Sequence, residues 1–231
     1  WRVERQRLSW PILDAFRDGA EELGIAKTDD FNDGDNEGSG YFEVNQRGGL
    51  RWNTTKAFLR PAMKRGNLRV LTGAETERLE FDGKTVTGVR FRLNGRLCVA
   101  RASREVVLSA GAINSPKILE LSGIGRPDLL SGLGIPVHHD LPGVGENLQD
   151  HLQIRTVFRI EGARTLNQLY HNLLSRAGMG LQYVISRSGP LSMAPSQLGI
   201  FAKSDPAVAT ADLEYHVQPL STDRLGEPLH R

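Results

Sequence analysis

The sequence predicts a mixed α/β fold in which helices flank an antiparallel β-meander. Two tight turns, Asp82-Gly83 and Asn94-Gly95, separate short runs typical of strands, because both turn positions favour residues that tolerate positive φ. A helix-like stretch that opens with Ser115-Pro116 follows the apolar run 105–111. At 231 residues, the chain is long enough for one large domain or two small ones.

The first third of the sequence predicts two helices separated by a polar loop. Residues 8–23 show apolar positions at helical spacing, with Ser9 as the expected N-cap and Gly24 as the stop. Residues 29–40 are rich in Asp, Asn and Gly and predict a loop, since they lack the ligand alternation and closing Glu of an EF-hand. The second helix is expected to begin near Asn53.

The middle third predicts the meander and the elements that follow it. We expect strands at 67–72, 75–81, 85–92 and 96–102. A buried strand at 105–111 is then followed by a helix at 115–122, with Ser115 as its N-cap and Gly123 as its stop.

The last third begins after a connection rich in Gly and Pro. We place a domain boundary between residues 152 and 153. Beyond it, the patterns predict a strand, a helix, a loop that leads into a strand, and a further strand, at 153–160, 166–185, 188–201 and 212–220.

Composition excludes several classes of function. The formal charge is +2, which gives no electrostatic basis for binding nucleic acid. A single cysteine excludes an internal disulfide. No run of about 18 apolar residues is present, so the sequence predicts no transmembrane helix.

The stretch Ser109–Gly125, SAGAINSPKILELSGIG, predicts a strand that turns sharply into a helix. Ala110 and Gly111 leave room for a ligand to approach the backbone, and the helix N-terminus offers free N–H groups to an anion. Many α/β proteins contain the same arrangement without a ligand. These residues alone therefore leave a phosphate-binding role open.

The longer pattern is more specific. The segments GAINSPKILELSGIG and PGVGENLQDH resemble signatures of the glucose–methanol–choline (GMC) flavoprotein oxidoreductases. The resemblance implies part of an FAD-binding, Rossmann-like domain at 1–152 and the beginning of a β-sheet substrate domain at 153–231. It implies FAD as cofactor and a small-molecule alcohol as substrate, with no indication of the electron acceptor.

The resemblance also assigns individual residues. Thr76 takes the position whose main chain contacts the adenine of FAD, and Ala110 and Gly111 match the turn near its adenosine end. Gln197 stands where the choline-oxidising branch has a Glu that faces the trimethylammonium group, so we expect it in the substrate pocket. No catalytic residue is assigned, because the family's catalytic His would lie beyond Arg231.

A glycine-rich GxGxxG loop, with which the family opens, is absent from the sequence. We therefore expect the chain to be an internal segment that is inactive when isolated. The competing hypothesis is a non-catalytic nucleotide-binding or interaction module of the same fold. An α/β-hydrolase is excluded because no G-x-S-x-G elbow occurs.

Three other groups of polar residues receive structural interpretations. Asp150 and His151 are neighbours that would point to opposite faces of a strand, so we expect hydrogen bonding rather than acid–base chemistry. The pair His138-His139 lacks a third metal ligand at useful spacing. Arg51 is expected to form a domain salt bridge, with a role near the cofactor as the alternative.

Overall fold

A computed structural model describes residues 1–224 and 226–230. The chain divides into two compact units, one formed by residues 1–68 and 156–231 and the other by residues 69–155. The mixed α/β fold class is confirmed. The assignment of an FAD-binding domain to 1–152 and a substrate domain to 153–231 stays a prediction.

The first unit contains a three-stranded antiparallel sheet with helices around it. In the sheet, β9 lies between β1 and β10. The elements of this unit are α1 (Pro11–Glu22), β1 (Gly38–Tyr41), β2 (Gln46–Arg47), β3 (Leu50–Arg51), a π-helical turn (Thr55–Leu59), α2 (Arg60–Ala62), α5 (Leu166–His171), α6 (Leu173–Ser186), a 3₁₀ turn (Pro190–Ser192), β9 (Leu198–Ala202) and β10 (Leu213–Val217).

The core of this unit forms where α1 packs on the sheet. Trp10, Leu13 and Leu198 are buried together, because the apolar face of α1 covers one face of β9. Tyr41 lies beside them and its hydroxyl donates a hydrogen bond to Asp14 Oδ1 at 2.7 Å. Burial, followed by this hydrogen bond, raises the pKa of Tyr41 to about 12.

The second unit contains the predicted meander and the helix after it. Strands β4, β5 and β6 pair antiparallel in chain order, which leaves β4 at one edge of the sheet. The elements are β4 (Ala74–Asp82), β5 (Thr85–Leu93), β6 (Arg96–Arg101), α3 (Gly111–Leu121), β7 (Ile124–Gly125), α4 (Pro127–Gly132) and β8 (His139–Asp140).

Three predicted strands are wrong. Residues 67–72, 105–111 and 153–160 form no strand, and most of their side chains are exposed. The three segments have the apolar and β-branched composition that is typical of strands. A strand also needs a neighbouring strand that accepts and donates its backbone hydrogen bonds. No strand in the described part of the chain pairs with any of the three.

Several predicted boundaries are also wrong. The N-cap of α1 is Trp10 rather than Ser9, since Pro11 fixes the first helical φ. Residues 38–40, predicted as loop, pair with β9 as strand β1. The single helix predicted at 166–185 is two helices, because Asn172 adopts extended backbone and caps α6.

Candidate functional site

A cleft with a volume of about 670 Å³ lies between the edge strand β4 and the helix α3. Thr76 and Ala110, two of the three residues expected at the cofactor, line it together, while Gly111 begins α3 beside Ala110. The other lining residues are Glu75, Glu77, Arg78, Asn114, Lys117, Ile118 and Leu121.

The backbone of β4 is irregular at this cleft. The pairing between β4 and β5 shifts between Thr76 and Arg78, so Glu77 is an extra residue that forms a β-bulge. A bulge leaves backbone groups outside the regular ladder, and an edge strand presents further unpaired N–H and C=O groups. Main-chain hydrogen bonds to a ligand at Thr76 are therefore possible here.

The N-terminus of α3 forms the opposite side of the cleft. The helix begins at Gly111, four residues before the predicted N-cap at Ser115. Ser115 lies inside the helix, where its Oγ accepts a hydrogen bond from the Ala110 N–H at 3.0 Å. Gly111 has a φ of +88°, and a Cβ placed on it would meet no atom within 4 Å. The first amides of α3 are thus open to a ligand on this side.

One side chain holds the two walls of the cleft together. The hydroxyl of Ser122 accepts a hydrogen bond from the Leu79 N–H at 2.9 Å and donates one to Ile118 O at 2.5 Å. Because Leu79 belongs to β4 and Ile118 to α3, this serine connects the edge strand to the end of the helix. Ser122, the serine of the SGIG segment, therefore holds the two walls of the cleft next to each other.

The charges in the cleft suit an anion near the helix. Lys117 lies one turn along α3 from Asn114 and supplies a cation. The facing Glu77 is paired with Arg92, with 2.7 Å between Glu77 Oε1 and Arg92 Nε, so its charge is largely compensated. Glu75 also lines the cleft, on the β4 side, and forms no ion pair among the described residues. Lys117 and the positive end of the helix dipole therefore favour a negatively charged ligand only on the α3 side of the cleft.

The lining of the cleft is compatible with the adenosine end of FAD that the resemblance assigns to it. A dinucleotide needs main-chain groups that can hydrogen-bond a base, and a helix N-terminus free of side chains for a phosphate. The β4 bulge supplies the first, and the amides after Ala110 supply the second. Lys117 was not anticipated from the sequence. The helical spacing of 114, 117 and 121 places it on the same face as the start of α3 and could have indicated it.

The remaining signature residues have structural roles in this unit. Gly123 has a φ of +82°, and a Cβ there would lie 2.4 Å from Pro136 O. This close approach lets β7 pair in parallel with β8. Glu120 packs against both Gly125 and Gly145, so the sequences SGIG and PGVGEN meet at one side chain.

The polar residues that received structural interpretations lie outside the cleft. The His138 ring packs on Phe81 with 4.0 Å between centroids. Asp150 Oδ1 accepts a hydrogen bond from the His151 N–H at 2.8 Å. Arg51 is exposed and forms none of the ion pairs seen among the described residues, so the salt bridge expected for it is not observed. Within the described part of the chain, no cluster of His, Cys, Asp and Glu could hold a metal ion.

Gln197 lies in the first unit, at the start of β9. It is fully buried, and its Oε1 has no hydrogen-bond partner among the described residues. Its Nε2 makes only a long contact of 3.4 Å with Ala194 O. Its main-chain oxygen accepts hydrogen bonds from Phe42 N and from Gln6 Nε2, at 3.0 and 2.7 Å. The backbone of Gln197 is therefore held by hydrogen bonds, while its neutral, buried Oε1 accepts none from the described residues.

Comparison with known proteins gives consistent matches. A family model described as GMC oxidoreductase matches residues 2–153. Human mitochondrial choline dehydrogenase is 38% identical over 221 residues, covering 94% of this chain and 36% of its own length. Oxygen-dependent choline dehydrogenase of Staphylococcus saprophyticus is 40% identical over 211 residues, covering 91% of this chain and 37% of its own length.

Solved structures agree with the sequence matches. An FAD-dependent oxidoreductase from Chaetomium thermophilum superposes with a TM-score of 0.76 at 27% identity, covering 86% of this chain and 36% of that one. Pyridoxine 4-oxidase from Mesorbium loti superposes with a TM-score of 0.61 at 32% identity, covering 64% of this chain and 30% of that one. The chain thus spans a little over a third of the length of the curated relatives described above.

Proposed function

Because this chain belongs to the GMC oxidoreductase family, we propose that the whole protein oxidises an alcohol to an aldehyde or ketone. The cofactor is FAD, which accepts the hydride when it is bound. The observation that carries the proposal is the cleft in which the bulged edge of β4 faces the open N-terminus of α3.

In this proposal the residues of the cleft bind and orient the adenosine end of FAD. The main chain at Thr76 hydrogen-bonds the adenine, and the small residues Ala110 and Gly111 let the ribose and phosphate reach the helix amides. Ser122 keeps β4 and α3 at a fixed separation, since it bonds to both. Lys117 adds a positive charge on the same side.

The cofactor site is tested by Ala110→Asp. Asp is commonly tolerated at helix N-cap positions, so this change should leave α3 folded, but its carboxylate repels the phosphate of FAD. We expect the whole protein to lose at least about tenfold in FAD affinity, corresponding to about 1.4 kcal/mol, without loss of thermal stability.

The matched control is Ala110→Asn, which caps the helix equally well and carries no charge. It should retain most of the FAD affinity, measured by fluorescence titration of the apoprotein. Equal FAD binding by the Asp and Asn variants would contradict the placement of the cofactor at the start of α3. If FAD bound as proposed but no alcohol were oxidised with any acceptor, the protein would be a non-catalytic module instead.

The substrate we propose is a neutral primary alcohol in preference to choline. The relatives named choline dehydrogenases favour an alcohol as the substrate class. The buried amide of Gln197 supplies an unused hydrogen-bond acceptor, which suits a hydroxyl group. It lacks the negative charge that would attract a quaternary ammonium group in a dry pocket.

The substrate proposal is tested with Gln197→Glu. The variant should raise kcat/KM for choline relative to a neutral alcohol of similar size by about tenfold to a hundredfold, because a charge-assisted contact contributes on the order of 1–3 kcal/mol. The matched control is Gln46→Glu, which alters another buried glutamine of the same unit. A wild-type preference for choline that Gln197→Glu leaves unchanged would contradict the placement of Gln197 in the pocket.

A further inference from the structure

The end of the β1–β9 ladder is a junction of three main-chain segments. Beyond the last paired residues of the two strands, Phe42 N donates a hydrogen bond to Gln197 O at 3.0 Å. The segment before α1 reaches the same place, since Glu4 and Val44 exchange main-chain hydrogen bonds at 2.9 and 2.8 Å. The three segments therefore meet where the Gln197 side chain leaves the backbone.

The side chain of Gln6 closes this junction. Continued antiparallel pairing of the first two segments would place Gln6 opposite Phe42. The main-chain N–H of Phe42 is already used by Gln197 O, however. The Gln6 amide supplies the missing link, because its Nε2 donates to Phe42 O at 2.8 Å and to Gln197 O at 2.7 Å. One side chain thus ties residue 197 to both other segments.

The two carbonyl oxygens dictate how the Gln6 amide is oriented. Its Oε1 is buried and has no hydrogen-bond partner among the described residues. A flipped amide would turn this oxygen toward Phe42 O and Gln197 O, which can only accept hydrogen bonds, so the junction requires the observed orientation. Both bonds form within one compact unit, so they require no part of the protein outside this chain.

The side chain of Gln197 has little of its own to hold it. Its Nε2 makes only the long contact with Ala194 O, and its Oε1 accepts no hydrogen bond from the described residues. The direction in which this amide points is therefore set by its main chain, which Gln6 and Phe42 hold.

We propose that Gln6 is a positioning residue for substrate selection, which holds the main chain of Gln197 so that the amide of Gln197 keeps its place in the substrate pocket. The inference rests on the proposed function, in which Gln197 lies in that pocket. Gln6 acts through Gln197 and does not itself contact the substrate. Loosening a residue that binds the substrate equally in the ground and transition states raises KM and leaves kcat unchanged.

Kinetics of the whole protein with FAD bound test the proposal. Gln6→Met keeps the length of the side chain and removes both donor hydrogens. We expect it to raise KM for the neutral alcohol at least about fivefold, with kcat within about twofold of the wild type. Gln6→Asn keeps the amide on a shorter side chain and should give an intermediate KM.

The double variant Gln6→Met/Gln197→Glu separates positioning from a general loss of stability. Its readout is kcat/KM for choline relative to that for the neutral alcohol. If Gln6 positions residue 197, the carboxylate introduced there is misplaced too, so the gain for choline expected of Gln197→Glu should fall at least about fivefold. A merely structural role would lower the thermal midpoint and leave this ratio unchanged.

The matched control is Asn167→Leu, which removes another amide that bridges two main-chain oxygens of the same unit. Asn167 Nδ2 donates to Ser221 O at 3.1 Å and to His230 O at 2.9 Å. The control should lower the thermal midpoint as Gln6→Met does, but it should leave KM and the choline ratio unchanged.

The outcomes distinguish this proposal from the one it rests on. Wild-type KM in Gln6→Met, together with an undiminished choline gain in the double variant, would overturn the role of Gln6 and leave the substrate proposal intact. If Gln197→Glu by itself leaves the choline ratio unchanged, the placement of Gln197 in the pocket is wrong, and the role of Gln6 is wrong with it.

Discussion

At the scale of single residues, the signature glycines act through the space they leave. Gly123 has both a positive φ and a carbonyl oxygen, Pro136 O, where a Cβ would lie. Gly134 has a similar φ of +70° but nothing within 4 Å of a Cβ. A substitution at Gly134 is therefore opposed by backbone strain alone, whereas one at Gly123 is opposed by strain and by steric contact.

We predict that Gly123→Ala lowers the free energy of unfolding by about 3 kcal/mol, from left-handed backbone strain and overpacking together. The control Gly134→Ala should cost only about 1–2 kcal/mol, because strain alone operates there. Urea denaturation followed by circular dichroism measures both. Equal losses in the two variants would mean that the approach of Pro136 to Gly123 is easily relaxed.

At the scale of elements, capping residues decide where helices begin and end. Asn172 interrupts the segment predicted as one helix, because its Oδ1 accepts a hydrogen bond from Ser175 N at 3.0 Å. This bond satisfies an amide that would otherwise be unpaired at the start of α6.

Replacing Asn172 by Ala should lower stability by about 1 kcal/mol. The control Ser175→Ala leaves the donating main-chain N–H in place and should cost less than half of that. Thermal unfolding of both variants provides the comparison. An Asn172→Ala variant as stable as the Ser175→Ala variant would show that packing, rather than the cap, fixes the start of α6.

The edge strand β4 shows how an element acquires a binding role. Its pairing with β5 was predicted from the turns, but its bulge at Glu77 and its bond to Ser122 were not. The bulge is common in edge strands, and the bond to Ser122 forms because β4 has a sheet neighbour on one side only and α3 approaches the other side. The cleft is a consequence of that asymmetry.

At the scale of the whole molecule, the described fold places the predicted cofactor residues on one cleft of the second unit. The same unit exposes apolar residues in the segments that failed to form strands, among them Leu71, Val107 and Ile154. Among the described residues, none of the helices has the length and apolar character needed to cross a bilayer.

We expect the 231-residue chain by itself to bind FAD weakly. The sequence has no GxGxxG loop, and that loop with its helix N-terminus is what holds the pyrophosphate in Rossmann-like folds. The measurement is the ratio of flavin to protein absorbance after purification. A stoichiometric yellow protein would mean that the contacts around Thr76 and Ala110 are sufficient.

The sequence by itself determined the family, the cofactor, the meander and the stops of α1 and α3. The last two depend on local rules: Asp-Gly and Asn-Gly favour the positive φ of tight turns, and glycine is favoured just beyond a helix C-terminus, where the chain takes a positive φ. The tertiary structure decided that 38–41 is a strand and 67–72 is not, and it decided the early start of α3, the bulge beside Thr76 and the burial of Gln197. Each of these depends on a partner distant in sequence, because a strand exists only when another strand pairs with it and a side chain is buried only when another element covers it.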